Sequence, residues 1–168
     1  SVVPGPDGKA RELIGYFIDI TERNKAERAL RSSESRLNEA QRLAQIGSWE
    51  LDLRANNLTW SNEIYRIFEI DPVAFQASYE GFLNLVHPDD REMVDRAYSD
   101  SVASRTPYDI THRLLMKDGR IKFLQERGRT DYMPDGTPER SLGTVQDITE
   151  RKQREDALQF LSTRITHL

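Results

Sequence analysis

The alternation of apolar and polar residues predicts an antiparallel sheet between residues 46 and 148. In 48–53, Trp and Leu alternate with Ser, Glu and Asp, which is typical of a strand with one buried face. Asn56-Asn57 marks a hairpin turn, after which 58–60 returns as a second strand. Three further strands, separated by turns that contain Asp-Gly, are predicted over 107–116, 120–132 and 139–148.

Between the second and third strands, apolar residues recur at steps of three and four, which predicts short helices. One begins at Ser61, a second contains Phe82 and Leu83, and a third follows His87-Pro88. The order of two strands, three short helices and three strands favours an α+β fold. This fold is a five-stranded antiparallel sheet with short helices on one face.

A longer helix is predicted on each side of this domain, over 22–45 and 149–168, with no Gly or Pro inside either. Apolar residues recur along both helices at alternating steps of three and four, a narrow stripe that is typical of a coiled coil. Ala and Ser in the first stripe leave a solvated spacer helix as the alternative, and the Ser-rich 32–35 leaves a break open. We expect a homodimer whose seam contains Leu30, Leu37, Leu158, Leu161 and Ile165.

The chain also contains an internal repeat, because 6–30 aligns without a gap with 134–158. Twelve of the 25 aligned pairs are identical, including the run Asp-Ile-Thr-Glu-Arg. Each copy reads as a turn, an apolar strand and a helix, and Thr149 is the predicted N-cap in the second copy. Because the first copy lacks its front, residues 1–21 are expected to be the C-terminal strand remnant of a preceding domain. The complete domain is then 46–148, followed by a truncated exit helix.

Composition excludes several classes of function. The 168 residues include no cysteine, which excludes a disulfide scaffold, a thiolate zinc site and a cysteine nucleophile. A net charge of −4 provides no general positive potential that would attract nucleic acid, so no nucleic-acid partner is expected. No apolar run approaches the roughly 20 residues of a membrane helix. We expect a cytoplasmic location for this fragment, while membrane tethering of a longer parent stays open.

The histidines form neither a catalytic nor a metal-binding pattern. His87, His112 and His167 lack the neighbouring Ser and Asp of a triad, so no catalytic residue is expected. The run HPDDR at 87–91 gathers a histidine and two carboxylates, but a helix start with Asp89 as cap accounts for it. No metal site is expected.

Seven short motifs follow one another along the predicted domain. They are IGSWELDL at 46–53, Trp60-Ser61, IYRIF at 64–68, HPDDR at 87–91, Arg113-Leu114, KDGR at 117–120 and GTVQDITERK at 143–152. In this order and spacing they resemble the PAS (sensory box) family, in particular its members with a C-terminal PAC motif. The resemblance implies a sensor domain from a tandem-PAS bacterial signalling protein.

The resemblance also implies that the joint between the last strand and the exit helix couples the domain to its output. The candidate signal-coupling residues are Gly143, Asp147, Thr149 and Arg151. Asp147 and Arg151 are four residues apart, which allows an ion pair across the joint, while Thr149 caps the helix. The alternative is that these residues only stabilise the helix start, and the two roles are compatible.

No cofactor is expected, although some members of the family bind flavin, haem or small acids. Covalent flavin photochemistry of the light-sensing type needs a cysteine, which this chain lacks. His112 is the candidate axial ligand for haem, but a histidine on such a strand face is more often a hydrogen-bonded structural residue. An unknown small ligand between sheet and helices stays open. Its candidate lining residues are Trp49, Trp60, Phe68, His112, Leu114 and Phe123, although aromatic residues at such positions are more often plain core.

The expected function is a regulatory sensor and dimerisation module that relays a signal through coiled-coil linker helices. The expected effector is a histidine kinase domain in the same chain, by family association alone. A small-molecule receptor domain and a module of a cyclic-dinucleotide synthase or phosphodiesterase are the alternatives. The fragment itself is not expected to be an enzyme.

Overall fold

The computed structural model describes residues 9–167, with side chains from residue 19 onward. The chain divides into two compact units, one that extends to Ala40 and one that begins at Gln41. A short 3-10 helix, Pro88–Asp90, precedes the fourth helix. The other elements, in chain order, are α1 (Lys9–Ala44), β1 (Ile46–Asp52), β2 (Asn57–Trp60), α2 (Asn62–Phe68), α3 (Tyr79–Leu85), α4 (Arg91–Ser104), β3 (Tyr108–Leu115), β4 (Ile121–Tyr132), β5 (Pro138–Asp147) and α5 (Thr149–Thr166).

The five strands form one antiparallel sheet in the order β2-β1-β5-β4-β3. Three pairs of consecutive strands form antiparallel hairpins: β1 with β2, β3 with β4, and β4 with β5. β5 then closes against β1, with Trp49 opposite Gly143. The last strand therefore lies at the centre of the sheet, bonded on both sides, immediately before α5 begins. The predicted fold class and order of elements are confirmed.

The hydrophobic core lies between one face of the sheet and helices α2, α3 and α4. Alternation along β3 and β4 places Tyr108, His112 and Leu114 on the buried side together with Leu124 and Glu126. The helical segments contribute Ile64, Ile67, Phe68, Phe82, Val86 and Val94 to the same core. No helix in the described part of the chain carries a stretch long and apolar enough to cross a lipid bilayer.

The predicted strand within residues 1–21 is wrong, because α1 begins at Lys9 and continues to Ala44. A strand depends on a neighbour for its backbone hydrogen bonds, whereas a helix forms them within itself. Within the described residues, no strand pairs with the apolar segment 13–20, and the segment is helical. The helix also passes through 32–35 without a break. Descent of this segment from a preceding domain stays a prediction, and residues 1–8 lie outside the described residues.

Candidate functional site

The joint between β5 and α5 consists of one carboxylate, one hydroxyl and the backbone of β4. Asp147 Oδ1 accepts hydrogen bonds from the Thr149 N–H at 3.0 Å and from the Thr149 hydroxyl at 2.6 Å. The hydroxyl oxygen accepts in turn from the Phe123 N–H at 3.0 Å. The Ile148 N–H donates to the Phe123 carbonyl at 2.9 Å. The start of α5 is therefore attached to β4 as well as to β5.

Two details of the predicted joint are wrong. Thr149 is the first residue of α5 and not its cap, because Asp147 accepts from its N–H. Among the described side chains, Arg151 Nε has its ion-pair contact with Glu155, at 4.0 Å, and not with Asp147. Asp147 lies in phase with the buried side of β5, which directs it towards Lys122 Nζ, 4.0 Å from its Oδ2.

Two adjacent glycines create a flat space on the inner face of the sheet. Gly143 of β5 is paired with Gly128 of β4 and with Trp49 of β1. The Trp49 indole lies over both glycines. A methyl group on Gly143 would overlap this indole and the Arg127 carbonyl oxygen. Gly143, predicted as a coupling residue, therefore has a steric reason to be glycine, and its coupling role stays a prediction.

The cavity beside this indole is small and largely aromatic. Its volume is about 30 Å³, room for about two water molecules, whereas small-molecule sites typically measure about 300–1,000 Å³. Three of the predicted lining residues, Trp49, Trp60 and Phe68, line it. The sequence interpretation missed several others: Leu51, Leu58, Tyr79, Phe82, Tyr98, Tyr108, Glu126 and Val145.

The remaining predicted lining residues lie elsewhere. Leu114 is buried in the core. It lines a second cavity, together with Met116, and not the cavity beside Trp49. Phe123 is out of phase with Leu124 on β4, so it lies on the opposite face of the sheet and its placement in the pocket is wrong. His112 is fully buried and contacts the cavity wall through Phe82, whose ring centroid is 5.7 Å from its own.

On its polar side, the cavity adjoins three buried titratable residues that are linked by hydrogen bonds. Tyr108, His112 and Glu126 are only 5%, 1% and 3% exposed. Glu126 Oε2 accepts from the Tyr108 hydroxyl at 3.1 Å, and Oε1 lies 3.0 Å from His112 Nε2. His112 Nδ1 lies 3.3 Å from the Arg113 carbonyl oxygen. Because both imidazole nitrogens face acceptors, the doubly protonated ring satisfies both contacts.

The charges of Tyr108, His112 and Glu126 compensate one another. Burial acts to lower the pKa of His112, but the hydrogen bond and charge of Glu126 outweigh it, and the pKa is raised. Burial and the charge of Glu126 also raise the pKa of Tyr108, which keeps the phenol a donor. An imidazolium, a carboxylate and a phenol together carry no net charge. With both nitrogens engaged, His112 agrees with the structural interpretation and not with an axial haem ligand.

One donor at the cavity is unpaired. Among the described side chains, Trp49 Nε1 is buried and has no hydrogen-bond partner. Such a group costs about 1–3 kcal/mol relative to a paired one. Trp49 is also one of the residues that line the cavity.

The segment 87–91 is a helix start, as predicted, but its polar contacts differ from the prediction. His87 Nδ1 accepts from the Asp89 N–H at 3.2 Å, so His87 is the cap and Asp89 is not. Asp90 accepts two hydrogen bonds from the Arg113 guanidinium, at 2.7 and 3.0 Å, and this interaction lowers the pKa of Asp90. Within the described residues, no group of three or more His, Asp or Glu side chains is arranged to hold a metal ion.

The apolar residues predicted for the dimer seam are exposed on their helices. Leu30 and Leu37 lie seven residues apart on α1, and Leu158, Leu161 and Ile165 lie three and four apart on α5. Contiguous exposed apolar residues on a soluble protein mark interaction surfaces. These positions agree with the predicted stripes, and the dimer itself stays a prediction.

A protein-family model described as PAS fold matches residues 57–145, more than half of the chain. Together with the strand order and the helices on one face of the sheet, this match shows that the chain belongs to the PAS fold family. The resemblance inferred from the seven motifs is therefore confirmed.

Relatives of this chain include a probable diguanylate cyclase and a histidine kinase. It is 30% identical over 158 residues to the probable diguanylate cyclase DgcE of Escherichia coli K12, covering 94% of the chain and 14% of that protein. It is 26% identical over 178 residues to the blue-light-activated histidine kinase of Brucella ovis, covering 99% of the chain and 35% of that protein. A crystal structure of a sensory box histidine kinase/response regulator from Burkholderia thailandensis matches with a TM-score of 0.65 and 26% identity, covering 79% of this chain and 99% of that one. The chain thus spans a minor part of each curated relative, and it is a PAS sensor domain.

The name of the Brucella relative refers to blue light, which raises the question of a flavin. The cavity in this chain does not fit one, because its volume is about 30 Å³ and the smallest typical ligand sites measure about 300 Å³. The Trp49 indole also covers the glycine pair beside the cavity, so the space over these glycines is already filled. The expectation of no cofactor stays a prediction.

Proposed function

We propose that this PAS domain relays a change at its sheet and cavity to α5, and through α5 to an effector in the same polypeptide. The supporting observation is the shared attachment of Thr149, which is bonded to Asp147 of β5 and to the Phe123 N–H of β4. Because two strands hold the first residue of α5, a shift of one strand against the other changes the bonds that orient the helix. A rigid helix then carries the change outward.

The role of the joint is tested by Thr149→Val, which removes the hydroxyl and keeps the branched shape. We expect amide hydrogen exchange over 149–153 to become roughly ten-fold faster, because two hydrogen bonds at the helix start are lost. Thr163→Val, in the same helix, is the matched control, since the Thr163 hydroxyl donates to the Gln159 carbonyl within α5. Equal acceleration of 149–153 in both variants would contradict a special role for Thr149.

The proposal includes a homodimer held by the apolar stripe of α5. Leu161→Glu combined with Ile165→Glu is expected to raise the dissociation constant of the dimer by at least about 100-fold, because four buried apolar side chains become charged. Sedimentation velocity over a range of protein concentrations measures this change. Gln159→Glu with Thr163→Glu adds the same charge on the opposite side of the helix and is expected to leave the dimer intact. A double variant at Leu161 and Ile165 that dimerises like the wild type would exclude this seam.

For the effector we propose a histidine kinase, supported by the names of the Brucella relative and the Burkholderia structure. The second candidate is a diguanylate cyclase, supported by the 30% identity to the Escherichia coli protein. The internal repeat supports a further PAS domain ahead of this one. Incubation of the full-length protein with labelled ATP is expected to give acid-labile phosphorylation on histidine. A cyclic dinucleotide formed from GTP, without phosphorylation, would replace the kinase with the cyclase.

The alternative role as a small-molecule receptor is supported by Trp49, which lines the cavity and whose buried N–H has no hydrogen-bond partner among the described side chains. Native mass spectrometry of the purified protein, compared with its denatured mass, distinguishes the two roles. A reproducible additional mass on each chain would favour the receptor. A dimer of unmodified mass that takes up no compound in a ligand screen favours the relay.

A further inference from the structure

We propose that Lys122 is the positioning residue that links the cavity wall at α2 to the start of α5. The inference rests on the relay proposed above and names the side chain through which it passes. Lys122 lies on β4 in phase with Leu124 and Glu126, so it points to the helix-covered side of the sheet. Its side chain is 17% exposed, and its ammonium has oxygen partners on two different elements.

On one side, the ammonium holds the C-terminal end of α2. Lys122 Nζ donates to the Ile67 carbonyl at 2.6 Å and lies 3.1 Å from Glu69 Oε2. A cation is favourable at this end of a helix, where carbonyl groups lack helical partners. Phe68, between these two residues, lines the cavity. A change in the cavity that displaces Phe68 therefore displaces the oxygen atoms that hold Lys122.

The end of α2 depends on these contacts. Glu69 ends the helix with φ of 55°, a left-handed conformation that residues other than glycine rarely adopt. Its carboxylate accepts from Arg120 at 2.8 Å and pairs with Lys122, and these hydrogen bonds, that of Arg120 first, lower the pKa of Glu69. Side chains from the β3–β4 turn and from the start of β4 therefore help to hold α2 in its terminal conformation.

On the other side, Lys122 Nζ lies 4.0 Å from Asp147 Oδ2, while Oδ1 of the same carboxylate holds Thr149. A direct charged hydrogen bond measures about 2.7–2.9 Å, so the ammonium is bound at α2 and only near Asp147. If the end of α2 moves away, the ammonium is released towards Asp147. A carboxylate drawn to Lys122 binds Thr149 less well, which loosens the first turn of α5. The α2 oxygens and the Asp147 carboxylate draw on the same ammonium, so a closer approach to one weakens its hold on the other.

The test is a double-mutant comparison on the whole chain, read out as amide hydrogen exchange over 149–153. The four forms are the wild type, Phe68→Leu, Lys122→Met and the double variant. Phe68→Leu reshapes the cavity wall next to the carbonyl that Lys122 binds, without changing any charge. In the wild-type background we expect it to alter exchange at the start of α5 by at least about three-fold, and in the Lys122→Met background to alter it scarcely at all.

Two controls separate coupling from general destabilisation. Lys122→Arg keeps the positive charge and is expected to keep the response to Phe68→Leu. Lys117→Met removes an exposed lysine from the β3–β4 turn and is expected to leave the response unchanged. Urea unfolding of each variant checks that it is folded under the exchange conditions, and Lys122→Gln replaces Lys122→Met if the latter is not.

The outcomes separate this inference from the relay on which it rests. An equal response to Phe68→Leu with and without Lys122 overturns the role of Lys122 and leaves the relay in place. No response of α5 to Phe68→Leu in the wild-type background overturns the relay from the cavity and this inference with it. A response that disappears only when Lys122 is replaced by an uncharged residue supports both.

Discussion

Gly143→Ala is expected to destabilise the domain by about 3 kcal/mol or more, at the upper end of the range for overpacked sites. The added methyl group would overlap the Arg127 carbonyl oxygen of β4 and the Trp49 indole at the same time. The carbonyl belongs to a ladder in the middle of the sheet and cannot move aside as a side-chain end can. Urea unfolding measures the loss, which is a large part of the ~5–15 kcal/mol that stabilises a typical domain.

Two further variants identify which overlap causes the loss at Gly143. Gly128→Ala places its methyl group 2.9 Å from both the Leu142 carbonyl and the Trp49 ring, a milder overlap, and a smaller loss is expected. Thr144→Ala, at the exposed neighbouring position in β5, is expected to be nearly neutral. If Gly143→Ala costs no more than Thr144→Ala, the close approach of the indole to the glycine pair does not exist in solution.

Glu126→Ala is expected to cost about 3–5 kcal/mol, because it leaves the His112 imidazolium buried without its counter-charge. The same change removes the acceptor of the Tyr108 hydroxyl. Glu139→Ala, at an exposed position on β5, is the matched control and is expected to be nearly neutral. Similar losses for the two variants would show that Glu126 and His112 do not form a charged pair.

The isosteric variant Glu126→Gln is expected to reverse the contribution of His112 to the pH dependence of stability. In the wild type the pKa of His112 is raised: burial opposes the charge, but Glu126 and the more distant Asp90 favour it. The folded state then binds the proton more tightly than the unfolded state. The stabilisation is fully present below the unfolded pKa of about 6.5 and is lost as the pH rises through the folded value.

In Glu126→Gln, burial is left as the main influence and favours the neutral imidazole. The pKa of His112 is then expected to fall below about 6.5, and its contribution is lost as the pH decreases. Urea unfolding between about pH 5.5 and pH 8.5 measures the difference between the two proteins, with Glu139→Gln as the control. Parallel curves for wild type and Glu126→Gln would show that Glu126 does not set the protonation of His112.

The order of elements could be predicted from local patterns. Alternation in 48–53 and 107–116 indicated strands, and the turns at Asp118-Gly119 and Pro134-Asp135-Gly136 separated the last three strands. These signals are short-range, because periodicity and turn conformation depend on neighbouring residues. The same kind of signal failed at 13–20, where an apolar run suited both a strand and a helix and where no strand among the described residues pairs with it.

The candidate site was predicted less completely than the fold. Asp147 and Thr149 were found because their segment occurs twice in the chain, but their hydrogen bonds were assigned incorrectly. Glu126 was missed, although the apolar Leu124 two residues earlier indicated which phase of β4 is buried. Phe123 was placed in the pocket because an aromatic residue suits either face of a strand.

The sequence alone determined the fold class, the family and the position of the exit joint, because all three follow from patterns and motifs within short segments. Only the tertiary structure decided the chemistry of the site. Tyr108 and Glu126 are 18 residues apart, and Lys122 reaches Ile67, which is 55 residues earlier. Whether two such side chains meet depends on strand pairing and on the phase of each strand. Those quantities are set by the burial of the whole sheet and not by the segment that carries the residue.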